Sequence, residues 1–313
     1  MKYDRVLVTG GAGFIGSHTV EALLDSDVKT WILDDLSSGD LRNLPGVKHN
    51  SQLHFVRGSI TDYQTIQKLT RKVDAVIHLA AQISPFTSMK YPETTTSTNV
   101  NGTLNVLRAA TKEKIQKVVF ASSSSVYGDF KSQYVSEKLP TNPVSPYGAS
   151  KLAAEKYCGA FYRAYNLPTI SLRYFNVYGQ RQSSNPYSGV IAIFTKALIH
   201  RRRPIIFGDG NQTRDFIHVS DVASANLRAL RTRKGLGEAS TAGSGSLPSS
   251  ASLCIGLPGG LIKGNRKREV PRHAATADPG CRAGGATKTS PGRDARGRES
   301  FYSGRMTWSS ITT

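Results

Sequence analysis

Tyr147 and Lys151 are the residue pair in this sequence with the most direct chemical use. They stand in Ser145-Pro146-Tyr147-Gly148-Ala149-Ser150-Lys151, and Pro146 followed by a helix-compatible run to Tyr165 predicts a helix start. Side chains four apart on a helix share a face. A lysine ammonium near a phenol favours phenolate and lowers its pKa towards a range useful for proton transfer. A second group lies at the N-terminus, where the β-branched run Arg5-Val6-Leu7-Val8 reads as a buried strand. Thr9-Gly10-Gly11-Ala12-Gly13-Phe14-Ile15-Gly16 follows, and Ser17 to Leu24 reads as a helix. Strand, glycine turn and helix make a phosphate-binding context. Of Gly10, Gly13 and Gly16, one allows the tight turn, one lets a pyrophosphate approach the backbone, and one lets helix and strand pack closely. The helix N-terminus that follows the glycines offers free N–H groups and a positive dipole end to the phosphates.

The elements that must hold these groups alternate. Lys29-Thr30-Trp31-Ile32-Leu33 is a second strand ending in Asp34-Asp35. An acid there, roughly twenty residues past the glycines, suits the adenosine ribose hydroxyls and repels a 2′-phosphate, so Asp34 argues for NAD over NADP. His54-Phe55-Val56 is a third strand leading to Gly58-Ser59-Ile60, and Asp74 to Leu79 a fourth ending in Ala80-Ala81-Gln82, small residues that let a cofactor lie close. Glu93 to Lys112 reads as a long helix containing Asn99. Lys117-Val118-Val119-Phe120 is a fifth strand ending in the serines Ser122 to Ser125 and Val126-Tyr127-Gly128. Thr169 to Phe175 is a sixth, followed by Asn176. Val190 to His200 reads as a helix, Pro204 to Gly210 as a strand and turn, and Thr213 to Val219 as extended; Ser220 or Asp221 caps a helix to about Leu230. This alternation predicts an α/β fold, a doubly wound Rossmann parallel sheet, with ligands at the C-terminal strand ends.

The chain has 313 residues and a net charge of +19. Its basic residues are spread along the chain, apart from Arg201-Arg202-Arg203 and the C-terminal quarter, which reads as a solvated basic surface rather than a nucleic-acid site. No apolar run approaches a membrane span, and no secretory signal opens the sequence. Cys158, Cys254 and Cys281 have no metal or redox spacing, so no metal site is expected. The expected setting is cytoplasmic.

Taken together, Thr9 to Gly16, Asp34, Asn99, the serines before Val126-Tyr127-Gly128, Tyr147/Lys151, Arg173-Tyr174-Phe175-Asn176 and Arg214-Asp215-Phe216 resemble the extended short-chain dehydrogenase/reductase family over about residues 3 to 232. Within it the motifs are most similar to NAD-dependent UDP-glucose 4-epimerase-type nucleotide-sugar epimerases. The resemblance implies the following roles. Gly10, Gly13, Phe14, Ile15 and Gly16 hold the NAD pyrophosphate. Asp34 and Asp35 lie at the adenosine ribose, Ser59 and Ile60 near the adenine, and Ala80, Ala81 and Asn99 along the cofactor, while Lys151 also bonds the nicotinamide ribose. Ser123 is the catalytic serine and Tyr147 the acid/base. Ser124, Ser125, Asn176 and Arg214 contact the UDP-sugar substrate. Tyr147 takes the proton of the sugar 4-hydroxyl while C4 gives hydride to NAD, and hydride returns to the opposite face after the keto sugar turns. A homodimer is implied, through the helices from about Glu93 and from Tyr147.

The resemblance also discriminates among reactions. Dehydratases carry Asp-Glu after the catalytic serine or threonine; here those positions are Ser124 and Ser125, which favours epimerisation. Ser59 stands where an aspartate is usual, and Pro85 lies near the nicotinamide end. After about Gly235 the sequence turns Gly-, Ser-, Ala-, Pro- and Arg-rich, and composition predicts poor order. Gly237 to Gly245 keeps the spacing of a family strand without its apolar residues. A frame error or a divergent cap both account for this. The expected domains are 1–176, NAD-binding; 177–235, a substrate-domain portion; and 236–313, an aberrant tail. The alternatives are a UDP-glucuronate or UDP-N-acetylglucosamine 4-epimerase, or a non-catalytic NAD-binding remnant.

Overall fold

The computed structural model describes residues 3–44, 50–129, 135–183, 189–206, 210 and 213–243. The apolar runs form β1 (Arg5–Thr9), β2 (Lys29–Asp34), β3 (Leu53–Arg57), β4 (Ala75–His78), β5 (Lys117–Ser123) and β6 (Thr169–Tyr174). Between them lie α1 (Phe14–Leu24), α2 (Tyr63–Thr70), α3 (Pro85–Lys90), α4 (Pro92–Thr96), α5 (Gly102–Lys112) and α6 (Pro146–Tyr165). The long helix expected over Glu93 to Lys112 is interrupted: α4 and α5 are joined by a π-helical turn, Ser97–Asn101, which holds Asn99. Such turns are frequent at functional sites.

Beyond β6 come β7 (Asn176–Tyr178), α7 (Val190–Ile199), β8 (Phe216–His218), α8 (Val219–Arg231) and β9 (Ala239–Ala242). The cap of α8 is His218, whose ring accepts from the Ser220 amide, rather than Ser220 or Asp221. The strand expected from Pro204 does not form over 204–206; 207–209 lie outside the described residues. The β9 segment corrects the composition-based expectation. It falls in the stretch expected to lack order, yet it pairs in parallel with β6, from Ser171 opposite Ala239 to Tyr174 opposite Ala242. The remaining tail, 244–313, lies outside the described residues, as do Cys254 and Cys281.

The main sheet has the order β3-β2-β1-β4-β5-β6-β9, parallel throughout, and β7 and β8 form a separate parallel pair. Successive strand residues point to opposite faces, and the core follows that alternation. Val6, Val8, Ile32, Ile77 and Val119 pack with Val20 and Leu23 of α1 and Val222 and Leu230 of α8. Leu7, Leu33, Val76, Val118 and Phe120 pack on the other face with Ile66 of α2, Val106 and Leu107 of α5 and Cys158 of α6. Both faces are therefore covered by helices, which is why the strands are apolar runs rather than alternating ones. The strand order reverses between β1 and β4, and a crevice at their C-terminal ends is where such sheets take ligands.

Candidate active site

The glycine turn closes over that crevice. Gly10 has φ +72°, and a Cβ there would stand 2.8 Å from the Ala80 nitrogen, so the turn after β1 and the end of β4 touch only because the residue is glycine. At Gly16 a Cβ would run into the Gly10 carbonyl oxygen. Gly13 is the N-cap of α1 and supplies no side-chain cap, and the first turn carries no acid. The leading amides at Phe14 and Ile15 thus face the crevice end of the helix with a favourable dipole for an anion. This arrangement fits a dinucleotide pyrophosphate.

Asp34, buried at the end of β2, accepts from the Ala12 amide (2.9 Å) on one oxygen and the Leu36 amide (2.9 Å) on the other. Burial pushes its carboxyl up, the two amides pull it down, and Asp35 adds to the rise. Each oxygen keeps a lone pair for a hydroxyl donor, which suits a ribose. Asp35 accepts from the Ser37 amide (2.9 Å). Ser59 turns to its own loop, 2.9 Å from the Thr61 hydroxyl, and the carbonyl of buried Ile60 accepts from the Asn105 side-chain amide (3.2 Å). Ala80 and Ala81 lie part-buried after β4.

A histidine missed by the sequence reading ties this corner together. His78 is fully buried, and its Nδ1 lies 2.6 Å from the Thr9 hydroxyl and its Nε2 3.0 Å from the Thr103 hydroxyl. Thr103 gives its one hydrogen to the Asn99 carbonyl (2.6 Å), so it accepts from His78 Nε2–H, and Nδ1 accepts from Thr9. Thr9 in turn accepts from the Ala80 amide (3.3 Å). The imidazole is therefore neutral, and burial, with the Lys151 charge nearby, lowers its pKa to about 3. A histidine within an apolar strand was the available signal.

Ser123 ends β5 and Tyr147 opens α6, and the two meet: the serine hydroxyl hydrogen-bonds the phenol. Ser123 also donates to the Ser125 hydroxyl (3.1 Å) and accepts from the Ser125 amide (3.1 Å), and Ser124 and Ser125 form the turn that follows it. Lys151 shares α6 with Tyr147, but its ammonium donates to the Ala121 carbonyl (2.9 Å) and lies 5.1 Å from the Phe120 ring centre. Burial lowers the lysine pKa to about 8. The phenol stands above its ordinary value because of burial, with Ser123 as the group that lowers it. Lys151 is thus engaged with the strand backbone in this geometry rather than bonded to the Tyr147 phenol.

Asn99 is buried and fully used. Its Nδ2 donates to the Gln82 carbonyl (2.9 Å) and the Ser150 hydroxyl (2.9 Å), and its Oδ1 accepts from the Gln82 amide (2.7 Å). Below the serines lies a pair the sequence reading did not single out. Arg173 on β6 grips Glu155 of α6 with Nε (2.9 Å) and Nη2 (2.6 Å), while Glu155 accepts from Ser122 (2.8 Å) and Arg173 donates to the Tyr127 hydroxyl (2.8 Å). An arginine inside a buried strand was its signal. Asn176 and Arg214 come to one end of the β7–β8 pair. Asn176 is exposed and donates to the Asp215 carbonyl (2.8 Å); Arg214 is exposed and donates to the Thr213 carbonyl (2.8 Å). Among the described residues no cluster of three His, Cys, Asp or Glu residues is placed to hold a metal ion, and no helix is long and apolar enough to cross a membrane.

Known proteins bear on this geometry. The family model for the NAD-dependent epimerase/dehydratase family matches residues 6–241. UDP-glucose 4-epimerase of Mycolicibacterium smegmatis is 40% identical over 259 residues, 82% of each chain. Human dTDP-D-glucose 4,6-dehydratase is 35% identical over 236 residues, 74% of this chain and 66% of that protein. The solved UDP-N-acetylglucosamine 4-epimerase of Methanobrevibacter ruminantium, in complex with UDP-N-acetylmuramic acid, superposes with a TM-score of 0.77 at 38% identity, covering 81% of this chain and 80% of that one.

Proposed function

Because the chain belongs to the NAD-dependent epimerase/dehydratase family, we propose that it is a UDP-sugar 4-epimerase interconverting UDP-glucose and UDP-galactose. The observation that carries this reading is that Ser123 at the end of β5 and Tyr147 at the start of α6 come together at the C-terminal side of the sheet. Gly10, Gly13, Phe14, Ile15 and Gly16 take the pyrophosphate of NAD, Asp34 its adenosine ribose, and Ser59, Ile60, Ala80 and Ala81 its flanks. When bound there, NAD would supply the hydride chemistry, which no side chain of the site can. Tyr147 removes and returns the proton of the sugar 4-hydroxyl. Ser123 hydrogen-bonds that oxygen and keeps the phenol oriented, and Lys151 provides positive charge behind it. Asn176 and Arg214 hold the diphosphate, exposed as they are at the end of β7–β8.

Between the two reactions the family joins, epimerisation is supported by the residues after Ser123. Removing water from a sugar needs a further acid and base, and Ser124 and Ser125 carry no carboxylate. A second reading, UDP-N-acetylglucosamine as substrate, is favoured by the similarity to the Methanobrevibacter ruminantium enzyme. The proposal includes a cytoplasmic homodimer, for which exposed Phe86, Met89 and Tyr157 on α3 and α6 offer apolar surface.

The test is conversion of UDP-galactose and of UDP-N-acetylgalactosamine by the purified chain, followed by chromatography of the nucleotide sugars. Tyr147→Phe is expected to lower turnover at least a hundredfold while NAD binding persists. NAD binding without any turnover in the unsubstituted chain would instead identify a non-catalytic remnant.

A further inference from the structure

The first turn of α6 has an unusual set of partners. Pro146 at its first position has no N–H, and the Ser145 cap takes the Gly148 amide (3.1 Å). The Tyr147 amide is left over, and it donates to the hydroxyl of Ser88 (3.1 Å), a residue of α3 far away in the sequence. Ser88 is completely buried, and its own hydrogen goes to the Pro85 carbonyl (2.6 Å). That donation directs the remaining lone pairs of the oxygen towards the Tyr147 amide. The base of the arrangement is stiff: Pro85 occupies the first turn of α3, and Ser84 caps that helix by accepting from the Thr87 amide.

The other side of the Tyr147 backbone is held as well. Its carbonyl accepts from the Ser150 hydroxyl (2.8 Å), which in turn accepts from Asn99 in the π-helical turn. The segment between β4 and α5 therefore grips Tyr147 by its amide directly and by its carbonyl through Ser150. A tyrosine has only two side-chain torsions before its ring is placed, so fixing its backbone places the phenol. A misplacement of about 1 Å at a reacting group costs on the order of a hundredfold in rate.

We propose that Ser88 is a positioning residue for the reaction, its hydroxyl holding the Tyr147 amide so that the phenol meets Ser123 and the substrate oxygen. This rests on the reading of Tyr147 as the acid/base. Ser88 touches neither substrate nor cofactor in this role; it acts through the backbone of the residue that does.

The experiment uses the full chain with NAD and compares Ser88→Ala and Ser88→Thr with the unsubstituted protein. In Ser88→Ala the kcat for UDP-galactose falls about tenfold with KM unchanged, and in Ser88→Thr, which restores the hydroxyl, kcat returns. In parallel, the chain is labelled at the tyrosine 13Cζ, and the Tyr147 resonance is identified by its loss in Tyr147→Phe. That resonance reports the Ser123 hydrogen bond with or without turnover. It shifts in Ser88→Ala and returns in Ser88→Thr. An unmoved resonance, an effect on KM alone, or equal loss in both Ser88 variants overturns the proposal. Turnover that survives Tyr147→Phe sinks the acid/base reading separately, and Ser88 is then judged on the resonance alone.

Discussion

His78 contributes one proton's worth of pH dependence to the stability of the fold. Burial keeps its pKa at about 3, against about 6.5 in the unfolded chain. Between those values the unfolded state carries a proton that the native state does not, so native stability falls as the pH falls through that window. The expected loss is about 1.4 kcal/mol per pH unit from this group. Urea denaturation at stepped pH from neutrality to pH 4 measures it, and His78→Gln is expected to flatten the slope by one proton; an unchanged slope would show that the imidazole is not the group concerned. The same residue marks a limit of reading residues from sequence. The placement of Asp34, Ser123 and Tyr147 was legible, because each stands at a strand end or a helix start that the local pattern marks. His78 and the Glu155–Arg173 pair were not, because their meaning lies in partners on other strands and helices that no local pattern names.

At the scale of elements, the two helix N-termini facing the site contrast. The first turn of α6 is filled by Ser145, Ser88 and a proline, whereas α1 begins at Gly13 with no side-chain cap. One end is fixed and the other is left open to an anion. The strands β1 to β6 were legible as apolar runs, since burial on both faces demands them. The last strand was not, because Ala239-Ser240-Thr241-Ala242 lacks such a run, and only the open side of β6 and a clasp from outside make it a strand. That clasp is Glu137, whose carboxylate accepts from the Thr241 amide (2.9 Å) and hydroxyl (2.7 Å) and is held below the usual carboxylate range by those bonds. Glu137→Ala is expected to raise amide exchange at Thr241 at least tenfold while leaving Val119 and Ile170 protected, as read by hydrogen-exchange NMR. Equal protection at Thr241 in both proteins would mean that β9 needs no such tie. The π-helical turn at Ser97–Asn101 was equally hidden, since a one-residue change of helical register has no composition of its own.

At the scale of the whole molecule, the site residues discussed above all lie within one compact unit, Met1–Lys263. The parallel sheet with helices on both faces was legible from alternation, because parallel strands require crossovers and helices supply them, whereas the strand order was not. The way the ends meet has another consequence. Asn226 on α8 donates to Thr19 on α1 across 207 residues and accepts from Tyr174 on β6, so the first helix finds its lasting partner only near the end of the described chain. A ribosome adding roughly 5–20 residues per second takes on the order of 10–40 seconds to cover that distance. Throughout it the apolar stripe of α1 is open to other chains, which makes the nascent polypeptide, rather than the finished one, the form most in need of a chaperone.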